Sequence, residues 1–333
     1  MFTSMLIEAY DPFYDSFVKS HPNGHLLQSY HWGSLKESFG WKPIRLMIFK
    51  DNIAVGAITL LKRRWFNENC LFYAPRGPVL DFHDDSVWNF LLEKVRQLAF
   101  QENAGFLKID PVINSTNKTL LTKLNKYGFI AINPKSPEQW IQHSMSFRID
   151  LHTKKNLKNF WNHRLITFGL DFSSAVSDEF PKTFYSLMLE HAKTLKMRIR
   201  AYEYFNQLWK EFPKSDRQVF LVTRQGQLLA GALVFAYGKT LYCLYACSLQ
   251  DEQRLNAEMS LHKFILDWAT QNQFDYYELV DTLHSMKKKP DEFAWLFSNN
   301  EPFFYLGEFD LVFNQKMYRL FRILFPIYRW SQN

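Results

Sequence analysis

Cysteine is scarce: Cys70, Cys243 and Cys247 are three in 333 residues, too few and too irregularly spaced for a disulfide framework or a zinc ribbon. Cys243 and Cys247 fall in an apolar stretch with strand character, where a thiol serves as a small core residue. No His-Glu-x-x-His, Cys-x-x-Cys or Gly-x-Ser-x-Gly occurs, and the ten histidines show no ligand spacing, so metal-assisted hydrolysis and serine acyl transfer lack their usual residues. No uncharged apolar run approaches the ~18 residues needed to cross a bilayer. The opening stretch, Met1 to Val18, carries Glu8, Asp11 and Asp15 without a basic leader, which argues against a signal peptide. A reducing, cytoplasmic setting is the expectation.

What the chain does have is core-forming material: 47% hydrophobic and 17% aromatic residues. A net charge of +7 suits phosphate-rich partners such as RNA, a nucleotide sugar, a lipid diphosphate or an anionic membrane surface, without choosing among them. The organising feature is an internal repeat. Arg45–Phe49 and Ile53–Leu60 flank the turn Asp51-Asn52, and Val219–Thr223 and Leu228–Phe235 flank Gln225-Gly226, two hairpin signatures with Gly56-Ala57 and Gly231-Ala232 at matching places. Leu71–Tyr73 then answers to Leu241–Tyr245. The helical stripe Val87, Phe90, Leu91, Val95, Leu98, with Asp85 and Ser86 as capping candidates, answers to Leu261, Phe264, Ile265, Trp268, Ala269. Phe106–Asp110 answers to Tyr276–Asp281, and the matches run in order at a separation of roughly 171–175 residues. Each half is therefore expected to be hairpin, strand, helix, strand: an α/β unit with a mixed sheet, in the order of the GNAT acyltransferase fold.

Six ordered blocks carry a more specific resemblance: Leu27-Gln-Ser-Tyr-His-Trp-Gly-Ser-Leu-Lys36 with Gly40-Trp41, Tyr73-Ala-Pro-Arg-Gly-Pro-Val79, Ile109-Asp-Pro111, Ile199-Arg200 with Tyr204, Tyr245-Ala-Cys-Ser248, and Gly307-Glu-Phe-Asp-Leu311, closed by Tyr318-Arg-Leu-Phe321. The sequence resembles the FemABX family of peptidoglycan-bridge aminoacyltransferases, in its FemX-like branch, because no segment is long enough for a coiled-coil arm. The resemblance implies two tandem GNAT-like domains with mixed sheets and a cleft between or beside them. Domain 1 would comprise residues 1–147 plus about 313–333, and domain 2 residues 148–312. It also implies transfer of an aminoacyl group from aminoacyl-tRNA to the stem peptide of a UDP-muramyl pentapeptide or lipid II by a cytoplasmic monomer. The donor ester is already activated, so proximity, a neutral amine and an oxyanion stabiliser suffice, and no cofactor or metal is expected.

Residue by residue, Lys36 matches the family's lysine in the precursor-diphosphate site, its stem able to lie on Trp32. Arg200 and Tyr204 match the family's arginine and tyrosine at the same phosphates, on one side if the segment is helical. Tyr245 is the fourth match, expected to face the cleft from a strand. Arg76 and Asp110 are weaker candidates: Pro-Arg-Gly-Pro is also a strand-to-turn exit, and Asp110 either orients an incoming amine or caps the strand end.

Two departures stand out. Active relatives carry a Phe-Lys pair before the Gly-Glu-Phe-Asp block, with the lysine supporting the tetrahedral intermediate; this chain has Phe293 and Ala294. Lys287, Lys288 and Lys289 lie upstream, either as a substitute cation or as a solvated basic loop. The stretch from Asn156 to Ser174 is also poorer in cations than the family's tRNA-binding helix. A degenerate precursor-binding relative and an acyltransferase with another donor therefore stay open. Acetyl-CoA fits poorly as that donor, because Arg254–Met259 lacks the glycines of a pyrophosphate loop and Pro78 removes an N–H from the first half. The tail from Met317 to Trp330 mixes Arg319, Arg322 and Arg329 with apolar residues. Two readings stay open: a peripheral contact with the inner membrane surface, where lipid II resides, or a helix packing back on the first half, the latter preferred because Pro326 limits a continuous amphipathic surface.

Overall fold

The computed structural model describes residues 1–66, 68–132, 141–142, 145–152, 169–249, 254–280 and 303–332. Contacts divide the chain into unit 1, Met1–Ser144 with Tyr305–Asn333, and unit 2, Met145–Phe304.

Unit 1 begins with β1 (Phe2–Leu6) and α1 (Pro12–Ser20), where Asp11 caps the Phe13 N–H and Pro12 supplies a pre-set first turn. A 3-10 turn, Leu26–Gln28, leads into α2 (Tyr30–Glu37), capped by Ser29 accepting from the Trp32 N–H at 3.0 Å. The hairpin of β2 (Lys42–Lys50) and β3 (Ile53–Phe66) follows, then β4 (Asn69–Ala74), β5 (Val79–Leu80), α3 (Asp85–Gln101), β6 (Ala104–Ile109), α4 (Lys118–Lys126) and β7 (Phe129–Ile132). The cap of α3 is Asp84, one residue before the expected pair, accepting from both Ser86 and Val87.

Unit 2 runs β8 (Met145–Asp150), β9 (Asp171–Ala175), α5 (Phe180–Leu195), α6 (Tyr202–Glu211), β10 (Arg217–Arg224), β11 (Gln227–Tyr237), β12 (Thr240–Ser248), α7 (Arg254–Gln271), β13 (Tyr276–Leu279) and β14 (Phe303–Phe304). The chain then re-enters unit 1 as β15 (Glu308–Val312) and α8 (Gln315–Gln332). The unit 1 sheet is ordered β1-β2-β3-β4-β6-β15-β7 with β5 beside β3; that of unit 2 is β14-β8-β13-β12-β11-β10-β9.

The repeat is visible in the pairing. Both hairpins turn through two left-handed residues, Asp51-Asn52 (φ 51° and 64°) and Gln225-Gly226 (φ 49° and 80°), the twist that suits a two-residue connection. Each carries a bulge at the equivalent place, after Ile48 and after Val222. In each unit one parallel pair, β4 with β6 or β12 with β13, sits among antiparallel neighbours. The repeated glycines admit a helix: a Cβ on Gly56 would lie 3.4 Å from Val87 of α3, and one on Gly231 3.2 Å from Phe184 of α5.

Apolar faces of the two sheets bury separate cores. Ile58, Leu60, Phe72 and Leu107 meet Trp88, Leu91 and Val95 of α3; Phe220, Val234, Cys243 and Tyr277 meet Leu261, Ile265 and Leu266 of α7. All three cysteines are free and buried. His262 belongs to the second core, its Nδ1 2.7 Å from the Tyr277 hydroxyl, and burial pushes its pKa down to about 3, so it stays neutral. The C-terminal helix packs on unit 1 as expected, Tyr318 and Phe321 against Phe106. Its helical span continues through Pro326; the proline forfeits one intrahelical bond without ending the helix.

Candidate functional site

In unit 1 the chemistry gathers at the C-terminal ends of the parallel strands β4 and β6, where carbonyls and loops diverge and a crevice is geometrically favoured. Ala74 accepts from the Gly77 N–H at 3.2 Å, closing a turn with Arg76 at φ 56°. A left-handed third position ordinarily takes glycine, and here an arginine occupies it. The buried Arg76 donates its N–H to Asp110 Oδ1 at 2.7 Å, sets its guanidinium 3.7 Å from Oδ2, and stacks it 3.5 Å from the ring centre of Tyr305. The Tyr73 hydroxyl donates to Asp110 Oδ2 at 3.2 Å. Burial pushes Asp110 up to about 7, Arg76 opposing and Glu308 adding to the rise. Burial, then Asp110 and Glu308, also hold Tyr73 well above its ordinary range.

A second buried group lies alongside. Lys108 of β6 contacts Asp310 at 2.7 Å and Glu308 at 3.3 Å, both on β15. Burial alone would depress the lysine; the two carboxylates more than reverse that and leave it raised. Tyr318 of α8 donates to Asp310 at 2.9 Å, and Glu308 accepts from the N–H groups of Ile141 and Gln142. This network anchors the returning strand and helix to β6.

The turn bearing Arg76 is held by Gln28. Strand β3 pairs with β5 at Gly56 and Ala57 and with β4 from Leu61 onward, leaving Thr59 between them. The fully buried Gln28 fills the gap: Oε1 accepts from the Thr59 N–H at 2.8 Å and Nε2 donates to the Pro75 carbonyl at 2.7 Å. The same segment leads to α2 and Lys36, whose ammonium lies 4.5 Å from the Trp32 ring centre. The Lys36 carbonyl accepts from the Trp41 N–H at 3.1 Å, and Trp41 lies between the Arg63 guanidinium and Tyr73, 5.1 and 6.4 Å from its ring.

In unit 2, α5 ends at a left-handed Lys196 (φ 53°), and an irregular segment leads to Ala201, the extended cap of α6. Arg200 precedes that helix and is not part of it, a correction to the helical spacing argument. Its guanidinium still lies on Tyr204, 4.5 Å from the ring centre. Tyr204 meets Phe205 edge-on, and Phe205 meets Tyr245 of β12 at 5.0 Å. Tyr185 of α5 packs on Tyr202 and Phe205 and donates to the Arg200 carbonyl at 3.3 Å. Arg200 is exposed and Tyr245 half-buried. A bulge between Leu233 and Val234 makes room for the extra residue Leu244 beside Tyr245.

The sequence profile of the FemAB family matches residues 11–224. The chain belongs to the FemAB family. It is 24% identical over 331 residues to the UDP-N-acetylmuramoylpentapeptide-lysine N(6)-alanyltransferase of Weissella viridescens, covering 92% of this chain and 94% of that protein. It is 31% identical over 221 residues to the lipid II:glycine glycyltransferase of Staphylococcus aureus, covering 63% of this chain and 52% of that protein. Among solved structures it resembles FemX, with a TM-score of 0.81 at 20% identity over 95% of this chain and 99% of the other. A tandem GNAT protein from the clavulanic acid biosynthesis pathway follows, with a TM-score of 0.56 at 11% identity over 93% and 98%. The expected tandem GNAT-like architecture with mixed sheets is therefore the fold of this FemAB family chain.

Of the FemAB site candidates, the structure brings Arg200, Tyr204 and Tyr245 together in unit 2 and joins Arg76 to Asp110 in unit 1; Lys36 stands on α2 in unit 1. Phe293, Ala294, Lys287, Lys288 and Lys289, and most of the Asn156–Ser174 stretch, lie outside the described residues. Sequence reasoning missed Tyr73, Tyr305, Glu308, Lys108, Gln28 and Tyr185 as partners. The alternation Glu308, Asp310 on one strand and Lys108, Asp110 on another was the available signal, since same-face charges on buried strands require partners. Among the described residues no cluster of three His, Cys, Asp or Glu is arranged to hold a metal, and no helix is long and apolar enough to cross a membrane.

Proposed function

We propose that this chain transfers an aminoacyl group from aminoacyl-tRNA to an amine on the stem peptide of a muramyl pentapeptide, carried on UDP or as lipid II. The observation that carries the reading is Arg200 stacked on Tyr204 in an aromatic frame ending at Tyr245. A guanidinium fixed in plane suits bidentate phosphate binding, and the FemAB relatives act on precursors whose names specify a UDP-linked or lipid-linked form. In this assignment Arg200 and Tyr204 of unit 2 take the diphosphate and Tyr245 bounds the bound precursor, while Lys36 of unit 1 is a further phosphate-binding candidate by its family match. Arg76 and Asp110 are the secondary candidates, a buried pair able to orient polar groups near the β4 and β6 ends.

The chemistry asks little of the protein. The neutral amine attacks the ester carbonyl, a C–N bond forms, and the tetrahedral intermediate collapses with cleavage of the C–O bond. The amine proton passes to the departing ribose hydroxyl. Holding the reactants together supplies most of the acceleration. An oxyanion donor ordinarily adds ~10²–10³ in rate, and Ala294 occupies the position where active relatives are expected to carry that lysine. This favours one second reading: a relative that binds the precursor without turning it over.

The test is purified protein with charged tRNA and UDP-muramyl pentapeptide, read by mass spectrometry. An extended peptide supports the transferase. Precursor binding without product for any charged tRNA, with turnover gained in Ala294→Lys, supports the binding reading instead.

A further inference from the structure

Over its described side chains, residues 315–324, the C-terminal helix turns one face inward and leaves another exposed. Tyr318 and Phe321 turn inward onto Phe106, and Trp65 packs on Phe321. On the far side, Leu320 is 38% exposed, Ile323 65% and Leu324 37%. Lys316 and Arg319 are exposed on the same side, one helical turn before Leu320 and Ile323. Single exposed apolar residues are ordinary; three within five positions of one helix, flanked by cations, form a strip. The span Gln315–Gln332 contains Lys316, Arg319, Arg322 and Arg329 and no acidic residue. At 1.5 Å per residue such a helix is about 27 Å long.

We infer that this face of α8 lies on a bilayer surface rich in anionic lipid headgroups, its aliphatic strip at the acyl boundary and its cations at the phosphates. Charge selects the anionic surface and the apolar strip selects a bilayer over a nucleic acid, since RNA would use the cations and leave Leu320, Ile323 and Leu324 in water. The arrangement fits a peripheral attachment: apolar area is small, one helix wide, and electrostatic attraction of Lys and Arg adds about fivefold in affinity per residue. The inference deepens the acceptor assignment only in bringing a lipid-linked precursor within reach of the enzyme, and for that consequence it rests on the proposed function. Attachment itself is read without any acceptor, so failure of one leaves the other standing.

The experiment is co-sedimentation of the full chain with vesicles of phosphatidylcholine alone, or of phosphatidylcholine and phosphatidylglycerol in equal parts. Retention on the anionic vesicles only is expected, reduced about fivefold by Arg319→Gln and more than tenfold by Ile323→Asp, and weakened by salt. Ile323→Gln should reproduce the Asp loss in part, and Phe100→Asp, at an 88% exposed site on α3, should leave retention unchanged. Equal retention on both vesicles overturns the proposal, as does retention that ignores Ile323→Asp. So does binding of uncharged tRNA that is abolished by Arg319→Gln in the absence of vesicle retention. A dimer dispersed by Ile323→Asp, again without vesicle retention, would assign the strip to a second copy and overturn it equally.

Discussion

Replacing Asp110 by asparagine should flatten part of the pH dependence of stability. The carboxyl is completely buried and its pKa is about 7 in the fold against an ordinary 3.8. A raised acid holds its proton in the folded chain at pH values where the unfolded chain has released it. The folded state then binds more protons than the unfolded state between about pH 4 and pH 7, so this group's contribution falls as pH rises through that window and levels off above it. A shift of about three units corresponds to an upper bound of about 4 kcal/mol. Asparagine keeps the acceptor for the Arg76 N–H, and the Tyr73 hydroxyl can turn to accept from the new amide. Urea unfolding of wild type and Asp110→Asn at about pH 5 and about pH 8 measures the difference. The wild type should lose more stability than the variant across that interval. An identical loss in both proteins would refute the assignment of the neutral carboxyl to the fold.

Further outcomes follow from the same geometry. Gln28→Leu removes the partner of both the Thr59 N–H and the Pro75 carbonyl and should cost about 2–5 kcal/mol in chemical denaturation. Gly77→Ala would place a Cβ 2.6 Å from the pinned Gln28 side chain; a loss of about 1–3 kcal/mol in the same assay is expected. Arg200→Lys keeps the charge but gives up the planar stack on Tyr204, so KM for the muramyl precursor should rise roughly tenfold with kcat little changed in steady-state transfer assays.

Much of the architecture was legible because it is local. The turn pairs Asp51-Asn52 and Gln225-Gly226, the strands around them and the two apolar stripes are written in runs a few residues long. The place of β15 was not. In unit 1 the strand beside the parallel pair returns from beyond unit 2, whereas in unit 2 the equivalent neighbour, β8, opens the unit. Periodicity carries no information on which distant strand will close a sheet. The partners of Lys108 were hidden for the same reason, since Glu308 and Asp310 approach through tertiary packing alone. Within the candidate site, the family blocks picked out Arg200, Tyr204 and Tyr245, yet not the means of their association. Arg200 stacks from just outside α6, and Phe205 links Tyr204 onward to the strand. Gln28 was present in the first block without a role, because its role is to complete a sheet interrupted between two other strands.

Calorimetric titration of UDP-muramyl pentapeptide into the wild type and into Arg200→Ala addresses the central proposal most directly. Saturable binding by the wild type, weakened at least about tenfold in the variant, is the result expected for a charge-assisted phosphate contact. Equal affinity in the two proteins, or no binding by a folded wild type, would contradict it.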